Sequence, residues 1–425
     1  MEKKDYKINI IGAGLSGLTA AKVLENHGYY PEVYEASDAV GGRIRTDHVK
    51  GHNLDRGFQV LLSEYPKAKQ YLDLKKLNLK SLKPGAVIFS KNKKRKIGDP
   101  LRDSSLLIPS LFSGIGTLGD KWKILKLNLE LKKLSPEEIF GEKETTTMEF
   151  LKKKGFSEDI IRNFFRPFFS GIFLEPDLRT SSRMFRFVFK MFGEGEAVIP
   201  AGGMGEISNQ LAKSLQHTKI HLNTPVEQVT DSKLILKDGS EIKTHFSIIA
   251  SEASSLVSNL RNQQTEWKSC HCFYFTSKTS EIDGRIIGLI AEDSALINNI
   301  FYHSSLEESE VEEHLISVTI VKETELEIKQ LEFRIRKELQ EYCDIKVEEL
   351  LKHYEIKKAL PDINSLQYEI MPTETRLNNR IFLAGDQLLN GSQNAAILSG
   401  ERAALGLIET LEGGAITAEI TSEYR

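Results

Sequence analysis

Three glycines near the start of the chain have the spacing of a loop that binds phosphate groups. Gly12, Gly14 and Gly17 follow the pattern G-x-G-x-x-G, and the acid Glu35 comes later in the same region. In that pattern the first glycine permits a tight turn, the second lets a pyrophosphate approach the backbone, and the third lets a helix pack against a strand. An acid after the next strand accepts a hydrogen bond from a ribose hydroxyl. These residues predict a dinucleotide-binding site.

The flanking residues predict the strand, turn, helix and strand that such a loop requires. The β-branched run from Tyr6 to Ile11 is typical of a buried strand. A helix is predicted over Leu18 to Asn26, with Gly28 ending it, and a second strand over Glu32 to Tyr34. Because the elements come in this order, the site is favoured over an ordinary glycine-rich turn.

A second set of glycines and two charged residues extend this chemistry. Gly41 and Gly42 precede Arg43, and Gly385 precedes Asp386 near the other end of the chain. An arginine can donate paired hydrogen bonds to phosphate oxygens, and an aspartate can accept hydrogen bonds from hydroxyl groups. A surface salt bridge for Arg43 and a helix cap for Asp386 are the plainer interpretations. A cofactor domain assembled from separated segments explains this order better than two domains in series.

The composition is that of a soluble globular protein. The chain has 425 residues, of which 40% are hydrophobic and 28% charged, with a formal net charge of −3. This balance argues against nucleic acid as the main partner, and the basic run from Lys91 to Lys96 is better explained as a solvated loop or hairpin. No apolar stretch is long enough to span a membrane.

Cysteine usage and the position of the first strand indicate the compartment. Cys270, Cys272 and Cys343 form neither a metal-ligand spacing nor a disulfide framework, which suits a reducing environment. The first predicted strand begins so close to Met1 that a signal peptide does not fit before it. We therefore expect a cytoplasmic protein with no bound metal.

The segments 8–62, 198–251 and 353–408 together resemble the superfamily of flavin-containing amine oxidases, protoporphyrinogen oxidases and carotenoid desaturases. The matching motifs are the two glycine clusters, a D-x-G element at Asp55 and Gly57, the turn Pro200 to Met204, and Gly385-Asp386. The resemblance implies bound FAD, held non-covalently because the closing region lacks a cysteine. An Asx-turn acid is the plainer interpretation of Asp55.

The resemblance assigns cofactor contacts to positions along the whole chain. Val226 matches a valine whose backbone contacts adenine, and Ala395 stands where related sequences usually have glycine. The assigned residues are Gly12, Gly14, Leu15, Ser16, Gly17, Glu35, Ala36, Gly41, Gly42, Arg43, Asp55, Gly57, Phe58, Val226, Ala250, Gly385, Asp386, Ala395 and Ala396.

The implied fold is of the α/β class. A discontinuous, Rossmann-like, doubly wound FAD-binding domain of the glutathione reductase type is expected from residues 1–65, 196–255 and 361–425. An α+β substrate-binding domain is expected from residues 66–195 and 256–360.

Two apolar clusters suggest where the substrate binds. Residues 104–119 and 160–192 are rich in phenylalanine and leucine, and Phe168 and Phe169 could form an apolar pocket wall. Plain core packing explains these clusters equally well. Arg166 is a weaker candidate for steering a carboxylate or an electron acceptor. Trp122 and the lysines around it suggest a peripheral membrane contact.

Three functions remain open. The leading one is removal of a hydride from a lipophilic or conjugated small molecule to flavin N5, with O2 or a quinone as acceptor. The others are an amine oxidase that produces hydrogen peroxide and a flavoprotein that only binds a partner. No residue is assigned a catalytic role, and no motif supports Lys278 or Lys322.

Overall fold

A computed structural model describes residues 2–90, 93–98, 103–106, 114–260, 264–307 and 312–413. Residues 107–113 of the apolar cluster at 104–119 and residues 91–92 of the basic run at 91–96 therefore lie outside the described residues. Among the described residues, no helix has both the length and the apolar character needed to cross a membrane.

The strands are short at the two ends of the chain and longer in its middle. In chain order they are β1 (Ile8–Ile11), β2 (Glu32–Tyr34), β3 (Thr46–Val49), β4 (His52–Asp55), β5 (Leu61–Leu62), β6 (Leu79–Ser81), β7 (Gly85–Ser90), β8 (Lys93–Gly98), β9 (Ala197–Pro200), β10 (Lys219–His221), β11 (Val226–Val229), β12 (Lys233–Leu236), β13 (Glu241–Lys243), β14 (Phe246–Ile249), β15 (Glu266–Ser277), β16 (Ile287–Ile290), β17 (Ile297–Tyr302), β18 (His314–Ile320), β19 (Leu350–Asp362) and β20 (Ile381–Leu383).

Most helices lie between β8 and β9. In chain order they are α1 (Leu15–Asn26), α2 (Pro66–Tyr71), α3 (Leu118–Lys132), α4 (Pro136–Gly141), α5 (Thr147–Lys153), α6 (Glu158–Ile160), α7 (Arg166–Phe173), α8 (Ser182–Glu194), α9 (Gly205–Lys213), α10 (Ile328–Cys343) and α11 (Gln393–Glu412). A π-helical turn, Ile161–Phe165, joins α6 to α7.

A parallel sheet at the centre of the fold brings distant segments together. Its strands lie in the order β10, β2, β1, β14 and β20, all parallel. They come from residues 8–34, 219–249 and 381–383. Parallel strands bury both faces, which explains why Ile8, Ile10 and Ile11 are all buried. The expected α/β fold with a discontinuous sheet is confirmed.

The two faces of this sheet are covered differently. Helices α1 and α11 cross so closely on one face that a Cβ built on Gly400 would lie 2.1 Å from the Ser16 carbonyl oxygen. The other face packs against the antiparallel sheet β11–β12–β13 through Val229 and Leu234. One face therefore carries helices and the other a small sheet.

A second large sheet forms the other half of the molecule. Its order is β19, β15, β18, β17, β16, β7, β8, and only the β16–β7 pair is parallel. Helix α10 packs on it through Leu331, Ile335 and Leu339. The boundaries predicted between the two domains at residues 65, 195, 255 and 360 stay predictions.

One helix begins at a residue other than the predicted one. Helix α1 starts at Leu15 rather than Leu18, so Gly14 becomes its N-cap. The basic residues 93–96 lie in the hairpin of β7 and β8, in keeping with the plainer interpretation of that run.

Candidate functional site

The glycine loop between β1 and α1 has three glycines with three different constraints. Gly12 has a φ of +106°, and a Cβ there would lie 2.8 Å from the Ala250 carbonyl oxygen. A Cβ on Gly17 would lie 1.9 Å from the Gly12 carbonyl oxygen, so only glycine lets α1 pack here. A Cβ on Gly14 would meet no protein atom within 4 Å, and its φ of −78° suits any residue. The protein's own packing therefore does not require a glycine at position 14.

Glu35 is held in position from both sides of its carboxylate. Oε2 accepts a hydrogen bond from the backbone N–H of Ala13 at 2.8 Å. Oε1 accepts bonds from the backbone N–H and the hydroxyl of Ser37 at 2.9 and 2.7 Å. A carboxylate oxygen has about two acceptor sites, so Oε2 can accept one further bond. Glu35 therefore has a fixed orientation and capacity for a ribose hydroxyl.

The second glycine cluster lies directly beside the first. The N–H of Gly41 donates to the Ala13 carbonyl oxygen at 2.8 Å. A Cβ on Gly42 would lie 3.5 Å from the Gly14 Cα. The two glycine clusters, separated along the chain, therefore form one continuous floor.

Arg43 links this floor to the closing segment. Its guanidinium forms an ion pair with the Asp386 carboxylate and lies 5.2 Å from the ring centroid of Trp267. Asp386 is 3% exposed and follows Gly385, whose φ is +144°. Both predicted side chains thus meet at one place.

One cavity of about 1540 Å³ connects these features with the helical region. It is larger than a usual small-molecule pocket, so it has room for a dinucleotide and a second molecule. Most predicted cofactor residues lie in its wall: Gly12, Gly14, Leu15, Ser16, Glu35, Ala36, Gly41, Gly42, Arg43, Gly57, Phe58, Val226, Ala250, Gly385, Asp386 and Ala396.

Four predicted residues lie outside the cavity wall. Gly17 packs α1 against its own loop, and Ala395 is fully buried beside Ile370 and Leu389. The other two, Asp55 and Arg166, are engaged by partners elsewhere in the protein.

Asp55 lies outside the cavity wall and holds two neighbouring segments together. Its Oδ1 accepts hydrogen bonds from the Thr46 hydroxyl at 2.5 Å and the Met204 N–H at 2.8 Å. It therefore ties the β3–β4 hairpin to the Pro200–Met204 turn. Burial raises the pKa of Asp55 to about 6, although both hydrogen bonds oppose that shift.

Arg166 faces away from the cavity. Its Nε donates to the Pro176 carbonyl oxygen at 2.8 Å, and its guanidinium pairs with Asp293 and Asp177 at 3.4 and 3.5 Å. These partners engage the side chain outside the cavity wall, and its role in steering a carboxylate or an electron acceptor stays a prediction.

Phe168 and Phe169 lie at the far end of the same cavity. Both line its wall, and Phe169 also packs against Phe185 with ring centroids 4.6 Å apart. Other apolar residues complete this end: Ile124, Leu125, Phe164, Ile172, Phe173, Met184, Val188, Phe189, Phe192, Ile287 and Leu289. The two interpretations of the phenylalanine cluster, pocket wall and core, therefore both apply.

Several residues of the cavity wall carry no sequence signal. Trp267, Asn299 and Thr319 line the cavity, yet each stands alone in a strand with no motif around it. Cys270 also lines it, and burial raises the pKa of its thiol to about 12, so the thiol is protonated near neutral pH.

The two lysines considered from the sequence do not line the cavity. The Lys322 ammonium donates to the carbonyl oxygens of Asp293 and Ala295 at 2.7 and 2.5 Å. Lys278 is exposed just beyond β15.

Comparison with known proteins gives a consistent result. Residues 15–271 match the family model described as flavin containing amine oxidoreductase. An L-amino-acid oxidase of Bothrops moojeni is 30% identical over 35% of this chain and 32% of its own length. A 15-cis-phytoene desaturase of an Oncidium hybrid cultivar is 24% identical over 66% of this chain and 52% of its own length. The chain thus spans about a third to a half of these curated relatives.

The fold has a counterpart among solved structures. A wild-type putrescine oxidase bound to putrescine superimposes with a TM-score of 0.69 at 18% identity, over 95% of this chain and 99% of that one. At this identity the likeness concerns the fold alone.

Proposed function

The chain belongs to the flavin containing amine oxidoreductase family, and from that premise we propose that it is an FAD-dependent oxidoreductase acting on a lipophilic or conjugated small molecule. Bound FAD would accept a hydride at N5 from a C–H bond of the substrate, and O2 or a quinone would take the electrons. The observation that carries the proposal is the single cavity that joins the glycine loop to the apolar wall.

The residues of the loop end fit a dinucleotide held non-covalently. The N–H groups at the start of α1 and the bare backbone at Gly14 would bind the pyrophosphate. Glu35 would accept from the adenosine ribose, and Arg43 and Asp386 would bind phosphate and ribityl groups. Gly14 supports this fit, because it lines the cavity and a Cβ built there would meet no protein atom within 4 Å.

The apolar wall supports a lipophilic substrate. Phe168, Phe169 and Ile172 would surround the substrate and exclude water from the reacting carbon. Excluding water favours hydride transfer because it prevents side reactions at the reacting atoms. The similarity to a phytoene desaturase is in keeping with this class of substrate.

Oxidation of an amine is the second candidate, supported by the similarity to an L-amino-acid oxidase. Besides the residues assigned to the cofactor, five carboxylates that could bind an ammonium group line the cavity: Glu144, Glu149, Glu175, Glu252 and Asp362. Each already has partners. Glu149 caps α5, Glu175 accepts from two backbone N–H groups, and Glu144 lies 3.9 Å from Arg183. Glu252 pairs with Lys358, and Asp362 lies 3.3 Å from Lys268. This engagement favours the lipophilic substrate. A pocket open to ligands also favours an enzyme over a flavoprotein that only binds a partner.

We further propose a peripheral contact between α3 and an anionic membrane surface. Leu118, Trp122 and Leu129 are 68%, 72% and 54% exposed and lie on one stripe of the helix, because they are spaced by four and seven residues. Lysines flank the stripe on both sides: Lys121, Lys126, Lys132 and Lys133. The same helix lines the cavity through Ile124 and Leu125, so a lipophilic substrate could enter from the membrane.

The spectrum of the purified protein tests the flavin and its acceptor. We expect a visible flavin spectrum that is lost on anaerobic photoreduction. Return of colour within seconds of adding air would identify an oxidase, and hydrogen peroxide formed with a panel of amines would favour the second candidate. Slow return with air and fast return with a quinone would favour the leading one. A colourless protein that takes up no added FAD would contradict the whole proposal.

A further inference from the structure

A short polar row crosses the apolar end of the cavity. Leu289, Asn299 and Thr319 are direct neighbours on β16, β17 and β18, and all three line the cavity. Asn299 is 2% exposed and Thr319 is 5% exposed. Two buried polar side chains beside apolar neighbours need hydrogen-bond partners or they destabilise the fold.

A β-bulge aims the amides of this row. The pairing of β17 with β18 shifts register between Ile297 and Asn299. Consecutive residues of a regular strand point to opposite faces, and a bulge can place both on one side. Accordingly, the Asn298 Nδ2 lies 3.0 Å from the Asn299 Oδ1. Bulges are enriched beside functional sites because they re-aim side chains.

Helix α7 passes the two amides without a side chain in the way. A Cβ built on Gly171 would lie 2.8 Å from the Asn298 Nδ2 and 3.1 Å from the Asn299 Oδ1. The Asn298 Nδ2 also donates to the Pro167 carbonyl oxygen at 3.1 Å, in the first turn of α7. Both hydrogens of the Asn298 amide are thereby used, and the position of the Asn299 amide is set.

Asn299 and Thr319, which line the cavity, each keep one donor hydrogen without a partner among the described residues. The Asn299 Oδ1 accepts from Asn298, and its Nδ2 donates one hydrogen to the Thr319 hydroxyl oxygen at 3.3 Å. The second amide hydrogen of Asn299 and the hydroxyl hydrogen of Thr319 have no partner among the residues that the structure describes. An acceptor inside the cavity would satisfy both.

We propose that Asn299 and Thr319 position the substrate by donating hydrogen bonds to one uncharged oxygen of it, a carbonyl or a hydroxyl. This inference rests on the proposed function and narrows its substrate to an apolar molecule with a single neutral polar group. An anionic group does not suit the row, because no lysine or arginine contacts Asn299 or Thr319 among the described residues and a buried charge requires a paired one. Leu289 and Ile287 extend the row with apolar surface.

Displacement of Nile red from the FAD-loaded protein tests the inference. Two competitors, 2-decanone and 1-chlorodecane, have similar length but only the ketone is a strong acceptor. Each is offered at the same fraction of its aqueous saturation. We expect Thr319→Val to weaken displacement by the ketone about fivefold, the effect of one lost hydrogen bond, and to leave displacement by the chloride unchanged.

Further variants separate positioning from general damage. Thr319→Ser should restore the preference for the ketone, since it restores the hydroxyl. Gly171→Ala should reduce the preference by displacing the Asn298 amide. Thr276→Val is the matched control, because Thr276 is a buried threonine of β15 in the same sheet and does not line the cavity. Its preference should equal that of the unsubstituted protein.

The outcomes distinguish the two levels of the proposal. Normal FAD content and Nile red binding with an unchanged preference in Thr319→Val would overturn the positioning role alone and assign the two donors to a bound water. Equal weakening of both competitors would also overturn it. Failure of the unsubstituted protein to hold FAD would overturn the proposed function together with the inference.

Discussion

The two ends of the cavity are built on different principles. At the loop end, formed by residues 12–17, 35 and 41–43, backbone geometry decides which residue is allowed at each position. At the wall end, formed by α7, α8 and the row Leu289, Asn299 and Thr319, the residue types are those of any protein core, and their placement decides what they do. Residues that are required by the backbone conformation can be identified from a sequence motif. Residues that act through their position in the fold can be identified only from the structure.

Phe169 illustrates the second principle. It is 1% exposed, packs against four other phenylalanine rings of the helical region, and still contributes to the cavity wall. Gly14 illustrates the first, because nothing in the protein touches its missing side chain.

The largest difference between the two ends of the cavity is expected from a substitution at Gly14. We expect Gly14→Leu to weaken FAD binding about 100-fold, since a loss of about 3 kcal/mol follows when the pyrophosphate no longer reaches the backbone. The stability of the apoprotein should not change, because the new side chain meets only the cavity. Titration of apoprotein with FAD, together with thermal unfolding, measures both effects.

Gly141→Leu is the control for that variant. Gly141 also has open space around its Cβ position but lies outside the cavity wall. Unchanged FAD affinity in Gly14→Leu would contradict the assignment of the loop.

Gly17 should show the opposite behaviour. A Cβ there would lie 1.9 Å from the Gly12 carbonyl oxygen, so Gly17→Ala should lower the free energy of unfolding of the apoprotein by about 2–3 kcal/mol through overpacking. Urea unfolding of the apoprotein measures this, with Gly141→Ala for comparison. Full apoprotein stability in Gly17→Ala would show that this glycine, too, serves the ligand.

Asp55 tests whether a motif residue outside the cavity acts only through the fold. Its pKa in the folded state is raised to about 6, so the folded protein binds more protons than the unfolded one between the ordinary pKa of aspartate and about 6. The free energy of unfolding should therefore fall as pH rises through that window. Asp55→Asn keeps an acceptor for Thr46 and Met204, and should raise the free energy of unfolding by about 1–3 kcal/mol at pH 7.

Chemical unfolding at pH 5 and pH 7 measures that effect. The exposed Asp283 supplies the control variant, Asp283→Asn, which should behave as the unsubstituted protein. An Asp55→Asn protein that keeps the original pH dependence would assign the dependence to other groups.

The smallest effect is expected from a substitution in the exposed stripe of α3, measured as binding to lipid vesicles. We expect Trp122→Ala to lower binding to phosphatidylglycerol vesicles about tenfold, since an interfacial tryptophan contributes mainly its buried apolar area. Sedimentation with vesicles measures the bound fraction. Phe333→Ala is the control, because Phe333 on α10 is as exposed as Trp122, at 72%. Equal losses in the two variants, or no binding by the unsubstituted protein, would contradict a specific contact.

Sequence reasoning was strongest where the chain was locally constrained. The strand β2 was predicted to the residue, and the glycine loop, Glu35 and Arg43 meet in one cavity as the motifs indicated. Sequence reasoning was weaker for residues whose side chains contact other parts of the protein rather than the cavity. Asp55 belongs to a motif but supports the site from behind, and Arg166, although next to the phenylalanine cluster, turns to Asp293 and Pro176.

The loop end can be recognised from the order of its residues, because a positive φ, a close helix crossing and a helix N-terminus each require particular residues at fixed spacing. The wall end can be recognised only from the folded structure. Leu289, Asn299 and Thr319 come from three strands and become neighbours through sheet pairing, and Gly171 from a helix leaves room for the amides. Such contacts join residues far apart in the chain, so no local pattern of residues records them.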